Sequence, residues 1–322
     1  MLEAYRLTKD GPEPLTVENA AIPADASWID LRAPSQDEEK AAEAFMRTEL
    51  PTREEASEIE FSSRFYRENG AVIMTISAVS GVAGGKPFLA PVTFVVTGQH
   101  LATLRYDELR AFKYFLTREG RPGGGCNDLP SILLGLLEAV IDRTADLIEE
   151  LGGDVDRLNG EVFHRQVVSK RERRLEAIIG DIGKRHDLAS KIRESLASLE
   201  RCVHFAGLAV PVLAQRQQAN RLKVALRDIR SLEDHVAYLS VKIGFLLDAT
   251  LGLISVEQNS VIRVLTIAAT VLFPPTFIAT VYGMNFAIMP ELHWAWGYPL
   301  SLLLMIASAI LPYLYFKKKG WI

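Results

Sequence analysis

Three consecutive residues late in the chain, Gly283, Met284 and Asn285, offer backbone and amide oxygens but no charge. They lie in "VYGMNFAIMPELHWAWGY", residues 281–298, which holds one acid (Glu291), one histidine (His293) and no Lys or Arg. Copies of the Gly283 carbonyl and the Asn285 amide around an axis would make a collar of oxygen dipoles, attractive to a cation without fixed charge. Such a collar suits a hard divalent ion. Mg²⁺ takes oxygen ligands and sheds water reluctantly, whereas thiolate or imidazole would favour zinc or copper. A Gly-x-Asn sequence also makes ordinary turns, so the triplet has to be judged by what surrounds it.

It is flanked by Val264 to Tyr282 and by Tyr298 to Phe316, each 19 residues without a charged side chain. A helix of roughly 20 apolar residues crosses a bilayer at 1.5 Å rise per residue. The first helix therefore brings its partially negative end to Tyr282, and Gly283 is expected to end it in left-handed backbone geometry. Bases lie outside the pair: Arg263 before the first span, Lys317, Lys318 and Lys319 after the second. The positive-inside rule then puts both termini in the cytoplasm. Trp294, Trp296 and Trp321, with Tyr282 and Tyr298, fall where amphipathic rings prefer the headgroup layer. Two spans cannot enclose a channel, so conduction requires several copies around an axis, with closed cyclic symmetry.

The first span also has a register. Counting back in sevens from Thr276 gives Ala269, Ile262, Ser255 and Asp248; companion positions are Phe273, Leu265, Gln258 and Leu251. Polar residues among Ile, Leu and Phe make a poor dry core and suit a wall that meets water intermittently. A plain amphipathic helix would show the same spacing. After Pro211 nothing breaks a helix before Pro274 and Pro275, so one helix of about 100 Å is expected over 212–282, running from the membrane deep into the cytosol.

The 263 residues ahead of Val264 are enough for one or two packed units. Over 1–125, "AVIMTISAV" (71–79), "VTFVVT" (92–97) and "LATLRY" (101–106) read as strands, and Ser35-x-x-Glu38 and Thr52-x-x-Glu55 as capping boxes. Strand patterning stops after "RPGGGCND" (121–128). Leu137, Ile141, Thr144, Ile148, Leu151, Val155, Leu158 and Val162 then step by 4 and 3, followed by Leu175, Ile179, Ile182, Ile192, Leu196 and Leu199, which predicts a coiled-coil-like helical hairpin over 126–211. The expected class is an α+β cytosolic domain, a stalk helix (212–263), a first span (264–282), an outer loop (283–297), a second span (298–316) and a basic tail (317–322). Cys126 and Cys202 stand far apart without metal-ligand spacing, so reduced thiols are expected. The polar "MLEAYRLTKDGPEP" shows no cleavable signal, and the formal charge of -4 names no partner.

"YGMNF" (282–286), "MPEL" (289–292), "WGYP" (296–299) and "YFKKKGW" (315–321) together closely resemble the CorA family of magnesium and cobalt channels. The motif match is dense over roughly the last 60 residues, and the architecture of the whole chain is compatible. The resemblance implies a funnel-shaped homopentamer of the inner membrane whose stalk becomes the pore-lining span, with the second span in an outer ring. Carried over by position, Gly283, Met284 and Asn285 are the outer selectivity filter, Thr276 a polar pore position below it, and Asp248 an acidic position at the cytosolic mouth. Mg²⁺ would be the transported ion and a regulatory one, with Co²⁺ or Ni²⁺ as further substrates. Phe273 and Ile262 stand where some members place methionine, and Thr280 where glycine is common. A greasy constriction can still gate by dewetting. Some members carry a stalk aspartate that senses Mg²⁺ between subunits; a gapless count lands on Val224, with Asp228 and Asp234 the closest acids.

Other stretches carry less. Residues 37–60 hold nine acids against three bases, as solvated helix faces often do. "GVAGGKPF" (81–88) fails as a phosphate loop, because Ser80 stands at its first glycine position and Pro87 at its hydroxyl position. The six histidines show no paired spacing. "HRQVVSKRERR" (164–174) reads as a solvated helix tip rather than a nucleic-acid surface. The reading is therefore a divalent-cation channel and no enzyme, self-assembled among membrane lipid, without nucleic acid. A CorA-related zinc transporter and a membrane-anchored scaffold are the alternatives.

Overall fold

The computed structural model describes residues 1–9, 11–58, 60–119, 126–163, 171–285 and 294–321. The chain divides into two compact units, Met1–His164 with Ile178–Leu246, and Arg165–Ala177 with Leu247–Ile322.

In the first unit, seven strands form one sheet: β1 (Leu2–Thr8), β2 (Gly11–Leu15), β3 (Trp28–Arg32), β4 (Phe65–Glu68), β5 (Ala71–Ser80), β6 (Phe88–Val96) and β7 (Leu101–Arg105). Their order is β2-β1-β3-β7-β6-β5-β4, antiparallel throughout except for the parallel pair β3–β7. The strands expected at 71–79, 92–97 and 101–106 are β5, β6 and β7. The four others carry weaker runs. One had a signal: Asn69 and Gly70, both at positive φ, form the two-residue turn between β4 and β5, the Asn-Gly hairpin whose twist matches its strands.

Both sheet faces are covered. Ile29, Leu31, Ile73, Val95, Ala102 and Leu104 pack with Ala42 and Met46 of α1 (Gln36–Met46). On the other face Trp28 meets Phe115 edge-on at 6.0 Å, and Phe94 stacks on Phe112 at 6.5 Å, both partners from α4 (Arg110–Glu119). Ser35 and Glu38 make the expected capping box of α1, and Thr52 and Glu55 that of α2 (Arg53–Ser57). A single turn, α3 (Phe61–Arg64), leads into β4.

Beyond the sheet lie α5 (Leu129–Phe163), α6 (Arg171–Ala209) and α7 (Arg216–Tyr282). All eight residues named in the 4,3 repeat of α5 are buried. On α6 the repeat differs from the expected one by a residue. Ile178 is buried while Ile179 is only half-buried, because alternating 3,4 steps from Leu175 run through Ile178, Ile182, Ala189, Ile192, Leu196, Leu199, Val203 and Ala206. The first part of α7 repeats likewise through Leu222, Ala225, Ile229, Val236, Leu239, Ile243 and Leu246. Within this unit the stalk is thus the third helix of a bundle. Ion pairs join the three in turn: Arg221 to Glu138 at 2.7 Å, Arg230 to Glu200 at 3.1 Å and Arg185 to Asp154 at 2.6 Å. Arg216, four residues after the expected start, opens α7 because Pro211–Ala214 form a 3-10 turn.

Where β4 has ended, β5 leaves the N–H of Ser77 without a strand partner, and Ser198 of α6 accepts it at 2.7 Å. Ser198→Ala should destabilise the protein by about 1–3 kcal/mol, the cost of a buried donor left unmade; chemical denaturation of the full-length protein measures it. Cys126 and Cys202 are both buried thiols, and Cys126 donates its Sγ–H to the Ser131 carbonyl at 3.2 Å. Burial pushes the Cys202 thiol up to about 12, so it stays protonated and unreactive at neutral pH.

Candidate functional site

In the second unit α7 continues through Leu247–Tyr282 and α8 spans Gly297–Lys318. Both are long and apolar enough to cross a membrane. Over 264–282 of α7 the partly covered residues are Ile267, Val271, Pro274, Pro275, Ile278 and Tyr282. On α8 the covered stripe is Gly297, Ser301, Met305, Ser308, Ala309, Pro312 and Phe316. Steps of three and four on each helix are what two helices leave when they pack side by side. Small residues along α8 allow close approach.

Thr276, Phe273, Ala269, Leu265, Ile262 and Asp248 are all exposed. At 100° per residue they cluster on the side of α7 roughly 180° from its covered stripe. The rings of Phe273 and Phe277 stack along the exposed surface at 6.5 Å. The residues selected by sevens therefore share one continuous face. Residues of one helix cannot converge, and among the described residues no three His, Cys, Asp or Glu side chains are grouped to hold a metal.

Thr276 donates its hydroxyl to the carbonyl of Leu272 at 2.8 Å, and Thr280 does the same to Thr276. Thr266 and Thr270 bond to Ile262 and Thr266 in the same way. Each hydroxyl proton is used inside the helix, so the Oγ lone pairs remain as acceptors. Pro274 and Pro275 lack the N–H groups that would have bonded the carbonyls of Thr270 and Val271. The middle of this face accordingly carries threonine oxygens and no charge, while both prolines sit in the covered stripe.

Gly283 departs from the expected left-handed end. Its N–H bonds to Ala279 at 2.9 Å, continuing the helix, and Met284 N–H bonds to Val281 at 3.3 Å, tightening the last turn. Its φ is not positive. A Cβ here would lie 3.1 Å from the Ala279 carbonyl, a close approach that a shift of a few tenths of an ångström would relieve. Met284 and Asn285 follow, both exposed. Phe286, "MPEL", Glu291 and His293 lie outside the described residues, as do residues 120–125 of the Gly-rich break and 164–170 of the basic stretch.

A chain with one α/β-sheet unit, two bilayer-length helices and a neutral-oxygen triplet at the end of the first has the build of a two-span membrane transporter. It belongs to the CorA-like Mg²⁺ transporter protein family, whose sequence profile matches residues 23–318. The family is one of transporters, not enzymes. The magnesium transport protein CorA of Salmonella typhimurium is 32% identical over 322 residues, covering 100% of both chains. Among solved structures, the complete CorA magnesium transporter from Methanocaldococcus jannaschii matches at a TM-score of 0.79 and 17% identity, over 100% of this chain and 99% of that one. The cytoplasmic domain of ZntB from Vibrio parahaemolyticus matches at 0.58 and 10% identity, over 78% of this chain and 96% of that one. Both likenesses are of fold.

Proposed function

We propose that the protein is a Mg²⁺ influx channel of the inner membrane, assembled as a homopentamer with both termini in the cytoplasm. The observation that carries this reading is the face of α7 that runs from Asp248 to Thr276 on the side away from its covered stripe and ends at Gly283, Met284 and Asn285. Five such faces around an axis make a pore wall, with the two spans at 264–282 and 298–316 and the loop at 283–297 outside.

Hydrated Mg²⁺ is held at the collar of Asn285 amides and Gly283 carbonyls, where neutral oxygens accept from its water shell. It passes the Thr276 hydroxyls, whose protons are already committed inside the helix, and crosses a throat of Phe273, Ala269, Leu265 and Ile262. Asp248 receives it at the inner mouth. The membrane potential drives it inward by about 2.3 kcal/mol per charge per 100 mV. Co²⁺ and Ni²⁺, of the same charge, follow the same route. Cytosolic Mg²⁺ closes the channel by binding between neighbouring subunits. Val224, exposed on the stalk, has no ligand atom, so such a site must draw on acids elsewhere, Asp228 and Asp234 first.

The stripe of polar positions favours a channel over a scaffold with a mere membrane anchor. Against a zinc transporter of the same fold stands the absence of any Cys or His from Asp248 to Thr276. Flux through the reconstituted protein, with Mg²⁺ varied on the tail side and Zn²⁺ as competitor, tests the reading. Expected is a Mg²⁺ current that falls as tail-side Mg²⁺ rises; no divalent flux under any condition defeats it.

A further inference from the structure

The chain does not trail away after the second span. Gly320 takes left-handed backbone, φ +69°, and donates its N–H to the carbonyl of Lys317 at 3.1 Å. Trp321 N–H reaches back to the carbonyl of Phe316 at 3.0 Å. These two bonds are the Schellman helix end, which an apolar contact across the turn normally closes. That contact is present: the rings of Trp321 and Phe316 stack at 5.4 Å with planes 18° apart.

The folded-back indole then meets the other span. The Arg263 guanidinium of α7 lies 5.8 Å from the Trp321 ring centroid, and the Lys319 ammonium 6.0 Å from it. Both are within the range at which a cation is drawn to an aromatic face. Arg263 is the last charged residue before the first span, and its sequence neighbours Ile262 and Leu265 lie on the candidate permeation face.

We infer that Gly320 and Trp321 form a clasp that fixes the tail-side end of the first span, through Arg263, to the second span of the same subunit. Trp321 is thereby a positioning residue for permeation: it touches no ion, but it sets the rotation at which Ile262 and Leu265 are presented. Glycine is needed because only its backbone takes this φ freely. No atom lies within 4 Å of a Cβ built at Gly320, so a substitution there strains the turn without a clash. The permeation consequence rests on the channel reading above; the clasp does not.

The experiment uses full-length protein in lipid nanodiscs and liposomes, with Trp321→Ala, Trp321→Phe, Arg263→Gln, Arg263→Lys, Gly320→Ala and the double variant Trp321→Ala/Arg263→Gln. Trp321→Ala and Arg263→Gln should each shift the Mg²⁺ concentration for half-maximal flux by about two- to five-fold, the scale of one cation–aromatic contact. The double variant should shift it no further than the larger single change, while Trp321→Phe and Arg263→Lys stay near wild type. Hydrogen exchange of the amides around Arg263 should quicken in Trp321→Ala and in Gly320→Ala. Multiplying effects in the double variant, or unchanged exchange in Trp321→Ala, would overturn the clasp. Should wild-type protein carry no flux, the channel reading falls and exchange alone decides the clasp.

Discussion

Asn285→Ala should lower Mg²⁺ uptake by at least about a hundredfold, with the protein still assembled in the membrane. In the proposed ring of identical subunits the substitution removes every amide oxygen of the collar at once. A hydrogen bond to a charged partner contributes about 1.5–3 kcal/mol, so two lost contacts to the polarised water shell already amount to about a hundredfold in occupancy. Nothing else described near that helix end replaces the lost oxygens: Met284 offers a thioether, and Gly283 only its carbonyl. Asn285→Gln keeps the amide but displaces it by one methylene, and should retain partial uptake. Uptake assays on cells lacking other Mg²⁺ routes measure both. Full transport by Asn285→Ala would remove the collar from the mechanism.

The second large effect lies in the sheet. Asp30 and Arg105 form a bidentate ion pair across the parallel strands β3 and β7, with Nη2 to Oδ2 at 2.7 Å and side chains 1% and 7% exposed. Thr103 donates to Asp30 Oδ1 at 2.6 Å and accepts from Trp28 Nε1 at 3.2 Å. The guanidinium also lies over the Phe112 ring at 4.9 Å. Asp30→Ala strands a buried guanidinium, and should cost about 3–5 kcal/mol, a large part of the about 5–15 kcal/mol that a typical protein has. Replacing both partners, as Asp30→Leu with Arg105→Met, should recover most of that loss, because no buried charge is left unpaired. Denaturant unfolding followed by tryptophan emission reads the two outcomes. A loss below about 1 kcal/mol for Asp30→Ala would show that water or another group reaches Arg105.

Much of the candidate site was legible because its signals are local. An uncharged run of bilayer length, a glycine-led triplet at its end and a seven-residue count back from Thr276 all lie along one helix, where sequence distance converts directly to angle. The left-handed end expected at Gly283 does not occur, because its N–H continues the helical ladder to Ala279, and residue type alone does not say which glycine takes positive φ. Gly320, preceded by three lysines and followed by an aromatic, is where the left-handed end occurs, and a basic last turn before glycine was the available sign of it.

By itself the sequence determined the two helices of bilayer length, the repeat on α5, the long helix, the three strongest strands and both capping boxes, since each depends on residues within a few turns of one another. Tertiary structure alone decided the strand order, the parallel pairing that buries Asp30 against Arg105, the merging of the stalk into a three-helix bundle and the meeting of Arg263 with Trp321. These contacts join residues tens of positions apart. Many pairings of similar strands or helices satisfy the same hydrophobic pattern, and only the packing of the whole chain selects among them.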